Sequence, residues 1–277
     1  MNMPTATRSG CAARGNAAPA RAPFAERLLA SPASAWISPL LLLVAWTLAV
    51  RSGLFSEQIL ASPWQIVKTA AALIRSGELP HHLAVSLGRL LGGFALGTIA
   101  GVLFGAALAR VRLVEPFFGP LFQVLRQLPS IALIPMFILL FGIGETFKVV
   151  LVLKATFFVV ALATYDAVRQ LPPAWLEVAG LYRLPARVQL WRLLLPGALP
   201  AILTGARIAL GRSWMVLVGA ELLASESGIG QMMEMARQLF QLDVVMVGVV
   251  VTGLVGFALD RGFRLIERAA IRGKAAA

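Results

Sequence analysis

Six apolar runs alternate with short polar stretches along this chain, at residues 36–50, 84–109, 127–144, 149–165, 198–223 and 244–259. A helix needs about 20 apolar residues to cross the hydrocarbon core of a bilayer. Several of the runs approach that length, and the first and last reach it only with their neighbours. Backbone surrounded by lipid must satisfy its own hydrogen bonds, so such runs form helices. The pattern predicts an all-α polytopic membrane protein with about six transmembrane helices. The two halves show no internal repeat, which weighs against an inverted-repeat architecture. Between the first two runs, Ile66, Ala70, Leu73 and Ile74 recur at helical spacing, predicting a short helix in the membrane interface.

Composition agrees with this pattern. Apolar residues make up 58 % of the 277 and charged residues only 14 %, with mean hydropathy +0.81. A soluble domain carries charge on about a quarter of its residues. The net charge of +12 would suggest nucleic acid in a soluble protein. In a membrane protein it is expected on cytoplasmic loops, so no nucleic-acid partner is expected. Arg8, Arg14, Arg21 and Arg27 precede the first run. Arg110, Arg112 and Arg126 follow the second, Arg169, Arg183, Arg187 and Arg192 the fourth, and Arg261, Arg264, Arg268, Arg272 and Lys274 the last. These groups hold most of the 25 basic residues. They share one face, so both termini are expected in the cytoplasm. The opposite face carries Arg51, Lys68, Arg75, Lys148 and Arg237 among Glu57, Glu78, Glu145, Glu226, Glu234 and Asp243.

Residues 1–30, rich in Ala, Pro, Gly and Arg, read as a disordered cytoplasmic tail. Residues 31–268 form the membrane domain, and 269–277 a second cytoplasmic tail. The single cysteine, Cys11, excludes a disulfide within the chain. No apolar run precedes it, so no secretory or lipoprotein signal is expected.

Small residues mark two of the runs. Gly93, Gly97, Gly101 and Gly105 recur every fourth residue, preceded by Gly88 and Gly92. Gly197, Ala201, Gly205, Ala209 and Ser213 repeat the spacing in the fifth run. Small residues at this period let helix backbones approach closely, and two such stripes predict a tightly packed core.

Catalytic chemistry is missing from the pattern. No phosphate-binding G-x4-G-K-[ST] occurs, since Gly273-Lys274 is followed by Ala275. No Cys/His cluster or Ser/His/Asp set is present. His81 and His82 are adjacent, and neighbouring helical residues diverge by about 100°, poorly placed to share a metal. The chain is expected to be no enzyme and to hold no metal or cofactor. Lys154 and Arg212 lie inside apolar runs. A cation at such depth costs about 3 kcal/mol on insertion scales unless it meets water, protein or a counter-charge. Two readings stay open. Lys154 snorkels outward and Arg212 pairs within the bundle, or one or both line a path that attracts an anion.

The segment at 177–196, EVAGLYRLPARVQLWRLLLP, is polar and arginine-rich between two apolar runs. It resembles the cytoplasmic coupling loop of permease subunits in bacterial ATP-binding-cassette importers, with pattern EAA-x3-G-x9-I-x-L-P. Glu177, Ala179, Leu195 and Pro196 fit directly, Val178 and Leu193 are conservative replacements, and Arg183 stands where the family has glycine. Glu177 is placed where a helix starts, favoured there by the helix dipole. Because arginine adopts positive φ only at a cost, the turn is expected to be ordinary helix or to rely on Gly180 and Pro185. An amphipathic stretch, 184–192, offers Val188, Leu190 and Trp191 beside Arg187, Gln189 and Arg192 for docking on a partner. The coupling residues expected are Glu177, Ala179, Arg187, Leu190, Trp191, Leu195 and Pro196.

A narrower resemblance runs from about Pro63 to Arg268. Residues 125–152 (LRQLPSIALIPMFILLFGIGETFKVVLV) and 205–237, including Trp214, Glu221, Ser227, Gly228, Gly230 and Arg237, look like permeases of nitrate, taurine and aliphatic-sulfonate importers. The resemblance implies a multi-pass subunit of the bacterial inner membrane, among lipid. It would pair with itself as a homodimer, with a separate ATPase subunit that binds the ATP, and with a periplasmic solute-binding protein that does most of the substrate selection. The family has apolar residues where Lys154 and Arg212 stand, which makes them the candidate pathway residues for a small anion. The alternative is a secondary transporter driven by an ion gradient. That needs membrane-embedded acids as a relay, and none sits at the centre of a run.

Overall fold

The computed structural model describes residues 34–52, 61–111 and 113–275, and all regular structure among them is helical. The N-terminal tail expected at 1–30, Cys11 and Arg112 lie outside the described residues. The chain divides into two compact units, Met1–Leu54 and Phe55–Ala277. The first contains helix α1, Ser34–Arg51, with Pro39 inside it. Its apolar stretch, Pro39–Arg51, is shorter than a full bilayer crossing.

The second unit begins with α2 (Pro63–Arg75), the short helix expected from the spacing of Ile66, Ala70, Leu73 and Ile74. Ser62 caps it by accepting from the Gln65 backbone N–H, Pro63 occupies its first turn and Ile66 is buried. Then follow α3 (Glu78–Arg110), α4 (Val114–Gln127), a 3-10 turn at Ile131–Leu133, α5 (Ile134–Phe141), α6 (Glu145–Arg169), α7 (Pro173–Leu181), a turn at Ala186–Val188, a π-helical stretch at Gln189–Leu194, α8 (Leu195–Leu223), α9 (Ile229–Gln238) and α10 (Leu242–Ala275). Among the described residues, four helices are long and apolar enough to cross a membrane: Glu78–Arg110, Glu145–Arg169, Gln189–Leu223 and Leu242–Ala270. The last helix continues to Ala275, so the sequence expected as a C-terminal tail is largely helical.

The glycine stripe of α3 fixes how the core is assembled. A Cβ added to Gly93 would lie 2.7 Å from the Val149 carbonyl, one on Gly97 2.7 Å from that of Leu153, and one on Gly101 2.9 Å from that of Phe157. A Cβ on Gly105 would meet the Ala161 carbonyl. Contacts advance together along both helices, so α3 and α6 run parallel, backbone against backbone, the close approach that small residues permit in lipid. Gly88 and Gly92 face open space and take no part.

This register decides the path of the chain between them. Arg89, about three turns into α3, bonds to Glu145 at the start of α6, and Arg110 ends α3 a further length of helix away. At 1.5 Å per residue that length, from Arg89 to Arg110, is about 31 Å. Residues 111–144 must return over the same distance, and α4 and α5 do so with a bend of 91° between them. The pair is therefore one broken crossing. The sequence expected a single helix over 127–144 with 110–126 as an inner loop. Instead the crossing starts at Val114 and breaks at Leu128–Ser130. Leu128 precedes Pro129 and is extended, φ −67° and ψ 119°, as the residue before proline prefers.

Helix α8 runs antiparallel to α6. Thr156 and Ser213 share a 2.8 Å hydrogen bond, both fully buried, and Gly205 packs on Ala163 with no room for a Cβ. The second stripe thus divides: Gly205, Ala209 and Ser213 face α6, Ala201 is exposed and Gly197 lies under Trp175. Helix α10 returns antiparallel to α8, joined by Trp214 Nε1 to the Thr252 carbonyl at 3.0 Å, Arg207 to Asp260 at 3.0 Å and Thr204 to Glu267 at 2.6 Å.

Candidate functional site

Three polar constellations lie along this bundle: one at each end and one at half depth. At the end where α6 stops and α8 starts is the loop 177–196. Helix α7 begins at Pro173, a residue suited to a first turn. Glu177 is therefore in its second turn and exposed, not at its start as the sequence suggested. The helix closes with Leu184 N–H donating to the Ala179 carbonyl and Arg183 N–H to that of Gly180, each at 3.0 Å. That double bond needs a left-handed residue after the cap. Arg183 supplies it with φ +50°. The expectation that the turn avoids positive φ at Arg183 is overturned. The backbone bonds impose the conformation that the family's glycine adopts freely, and the arginine bears a strain of about 1 kcal/mol.

Beyond the turn, Gln189 ties the loop down. Its Nε2 donates to the Leu184 carbonyl at 2.8 Å, and Arg110 at the end of α3 reaches its Oε1 at 3.5 Å. The expected docking residues separate here. Trp191 is 58 % exposed and Arg187 and Glu177 are exposed. Leu190 and Leu195 pack on the cluster of Ala167, Val168, Leu194, Ala198 and Ile202, and Ala179 is buried. Leu190, half-buried, lies within the π-helical stretch next to the exposed Trp191. Residues not singled out from sequence, Leu181 and Tyr182, are 83 % and 76 % exposed. Pro196 lines an apolar cleft of about 440 Å³ with Trp175, Val178, Arg192, Leu193 and Gly197.

At half depth the break between α4 and α5 opens a cavity of about 360 Å³, lined by Arg126, Lys154 and Arg212 together with Ser130, Phe158 and Met215, among others. The Thr156–Ser213 bond sets α6 and α8 in register, so Lys154 and Arg212, each within two residues of it, lie within about one helical turn of each other in depth. Stacking brings Arg126 to the same place. Phe122, one turn earlier on α4, packs against Phe104 and Phe158 with ring centroids 5.6 and 5.3 Å away. Arg126 is thus a cavity residue, not part of an inner loop as the sequence suggested.

The three cations differ in their partners. Lys154 does not snorkel. Its ammonium donates to the Leu128 carbonyl at 2.5 Å and to Ser130 Oγ at 3.3 Å, satisfying backbone freed by the break, and lies 5.5 Å from the Phe158 ring centroid. Arg212 makes no hydrogen bond or ion pair among the described residues. The Nε of Arg126 is buried with no hydrogen-bond partner. No carboxylate lines the cavity. Non-helical backbone at this depth persists only where protein or a water-filled cavity surrounds it.

The third constellation, at the end where α3 and α6 start, was not foreseen as a unit. Arg89 is 4 % exposed and Glu221 1 %. Arg89 Nη1 bonds to Glu221 at 2.7 Å and to the Ser227 carbonyl at 2.6 Å, while Nη2 bonds to Glu145 at 2.6 Å and Ser227 Oγ at 2.7 Å. Glu221 also accepts from Ser86 Oγ at 2.8 Å and from the Gly230 N–H at 3.1 Å. Lys148, read from sequence as an outer-face charge, is 1 % exposed and joins Glu145 at 3.2 Å. His82 accepts the Gly228 N–H at 3.0 Å, a loop-fastening role. A Cβ at Gly228, φ +114°, would strike the Glu221 carboxylate, and one at Gly230 would lie 2.6 Å from Glu221 Cβ. The visible signal was Arg89, a charge inside the apolar run 84–109. On α9, Arg237 and Gln238 hold the Glu234 carboxyl down at about 2.

Comparison with known proteins agrees with this architecture. Residues 93–272 match the family described as the binding-protein-dependent transport system inner membrane component. An aliphatic sulfonates transport permease protein of Bacillus subtilis (strain 168) is 37 % identical over 230 residues, covering 83 % of each chain. A taurine transport system permease protein of Escherichia coli (strain K12) is 34 % identical over 233 residues, covering 82 % of this chain and 84 % of its own. Among solved structures, a methionine ABC transporter in an inward-facing conformation matches with TM-score 0.53 at 21 % identity, covering 72 % of this chain and 95 % of that one. The chain belongs to the binding-protein-dependent transport system inner membrane component family, as the permease subunit of an ABC importer.

Proposed function

We infer that this importer carries a small oxyanion, an aliphatic sulfonate, taurine or nitrate, and that Lys154 and Arg212 line its path. The observation that carries the reading is their meeting on one cavity at half depth, beside Arg126 and with no lining carboxylate. Cations in a low-dielectric wall attract and concentrate an anion. Sulfonate and taurine are also what the names of two relatives give as their cargo.

The other roles follow from position. Glu177, Arg187 and Trp191 present the docking surface for a separate ATPase, which binds the ATP. Ala179, Leu190, Leu195 and Pro196 support that surface from beneath. A periplasmic solute-binding protein delivers the anion to the end bearing the Arg89 cluster. Two copies of this chain in the inner membrane enclose the path, with both termini on the coupling-loop side. The ion-gradient alternative is disfavoured because Glu221, the one fully buried acid among the described residues, is already bound by Arg89 and Ser86.

The test is uptake of labelled ethanesulfonate and nitrate into vesicles holding the chain with its ATPase and binding protein. ATP-dependent uptake of either anion, lowered in Lys154→Met and Arg212→Met, is the expected result. Uptake that follows an ion gradient without ATP would favour the alternative. Unchanged uptake in both variants and their double would remove the two residues from the path.

A further inference from the structure

We propose that the cavity at the break between α4 and α5 is a discrete oxyanion-binding site whose ligands are Arg126 and Arg212, with Lys154 as the strut that holds it open. The proposal rests on the reading of this chain as an anion importer and divides labour among its three cations.

The division comes from their unused donors. Lys154 has three N–H bonds and directs two, one to the Leu128 carbonyl at 2.5 Å and one to Ser130 Oγ at 3.3 Å. Both acceptors belong to the segment that breaks the span. Leu128 is extended, and α4 therefore ends with a carbonyl that no following turn can satisfy. An ammonium supplies the missing donor and fixes the bend. Lys154 is a positioning residue.

The two arginines are in the opposite condition. Arg126 Nε is buried without a partner. Arg212 makes no hydrogen bond or ion pair among the described residues, yet it lines the same cavity as Lys154. Both also line the adjoining space of about 210 Å³ with Gln127, Phe158, Val159 and Leu162, again without a carboxylate. The buried Arg126 Nε lacks the hydrogen bond it would make in water, Arg212 is exposed with its donors unengaged, and the two like charges on one cavity repel each other. One ligand removes both penalties: an anion with several oxygens in a fixed geometry, which guanidinium forks match in pairs. The half-depth position lies far from lipid headgroups, so the ligand is a solute. The apolar part of the wall, Phe158, Val159, Met215 and Val216, suits a short alkyl group attached to such a head. An aliphatic sulfonate has both parts.

The experiment is equilibrium binding to the full-length chain purified with its ATPase, using ethanesulfonate and nitrate as probes and ethyl methyl sulfone as a neutral analogue of similar shape. At least one anion is expected to bind and the sulfone not. Arg126→Gln and Arg212→Gln should each weaken binding by about tenfold or more, the scale of a lost charge-assisted hydrogen bond. Arg126→Lys and Arg212→Lys should retain most of the affinity by keeping the charge. Lys154→Gln, which preserves a donor to Leu128, should weaken binding less than either arginine change. The proposal is overturned if neither anion binds or if the sulfone binds as tightly as the anions. Unaltered affinity in an assembled Arg126→Gln/Arg212→Gln double variant overturns it as well. Should the glutamine variants fail to fold, the wild-type comparison of anion with sulfone still decides. Failure of the importer reading is a different result: the wild-type chain would not hold its ATPase or would transport without ATP.

Discussion

Arg89 and Glu221 meet across 2.7 Å with almost no solvent on either side chain, and they join α3, about three turns in, to the end of α8. Their remaining bonds run to Ser86, Glu145, Ser225, Ser227 and Gly230, so the pair also ties in the start of α6 and pins the loop between α8 and α9. Burying one charge alone in such a place is prohibitive, and the pair holds only because each partner's other valences are filled.

Removing both members should therefore cost less than the two single removals added together. Glu221→Ala is expected to destabilise the protein by about 3 kcal/mol or more, and Arg89→Leu with Glu221→Leu by less than the single changes combined. Thermal unfolding in detergent measures this. A melting temperature for Glu221→Ala equal to that of the wild type would refute the buried-pair account.

The glycine face gives an internally controlled test. Gly97→Leu places a side chain where a Cβ already comes within 2.7 Å of the Leu153 carbonyl, whereas Gly92 faces open space. Gly97→Leu should lose about 1–3 kcal/mol through forced separation of α3 and α6, and Gly92→Leu should change little. Equal melting temperatures for the two variants would deny the α3–α6 register.

Arg183 sits at φ +50° in a turn whose bonds a glycine would make without strain. Arg183→Gly should raise stability by about 1 kcal/mol and leave transport intact. A lower melting temperature would show that the arginine side chain contributes more than its backbone costs.

Leu190 and Trp191 are neighbours in sequence with opposite surroundings, one against the core and one 58 % exposed. Leu190→Asp should reduce the yield of folded protein. Trp191→Asp should leave folding alone and lower the amount of ATPase that copurifies. Normal copurification with Trp191→Asp would take that residue out of the docking surface.

The parallel course of α3 and α6 requires that the broken pair α4–α5 cross the bilayer. With Cys11 replaced by Ser, Ser76→Cys and Gly144→Cys should react with a membrane-impermeant thiol reagent from one side, and Gln170→Cys from the other. Labelling of the Ser76 and Gly144 sites from opposite sides would make the pair a re-entrant loop.

Much was legible in the sequence because membrane spans, loop charge and small-residue stripes are local patterns. Hydrophobicity alone specified an all-helical membrane protein, since lipid leaves backbone little else to form. The spacing of Gly93, Gly97, Gly101 and Gly105 announced a packed face, and the segment 177–196 carried its family resemblance in consecutive residues. What the pattern could not give was partnership. Hydropathy counts apolar residues and is blind to a break at Leu128–Ser130, so α4 read as an inner loop and Arg126 as a surface charge. Positive φ at Arg183 followed from bonds to Ala179 and Gly180, not from the preference of arginine. Lys154 and Arg212 were visible as costly charges, but their nearness in depth depends on Thr156 meeting Ser213, 57 residues apart in the chain. Arg89 and Glu221 are separated by 132 residues, and only the packing of α3, α6 and α8 makes them a pair. Local sequence determines where the chain becomes helix. The close approach of distant helices decides which charges are neutralised and which are left to bind.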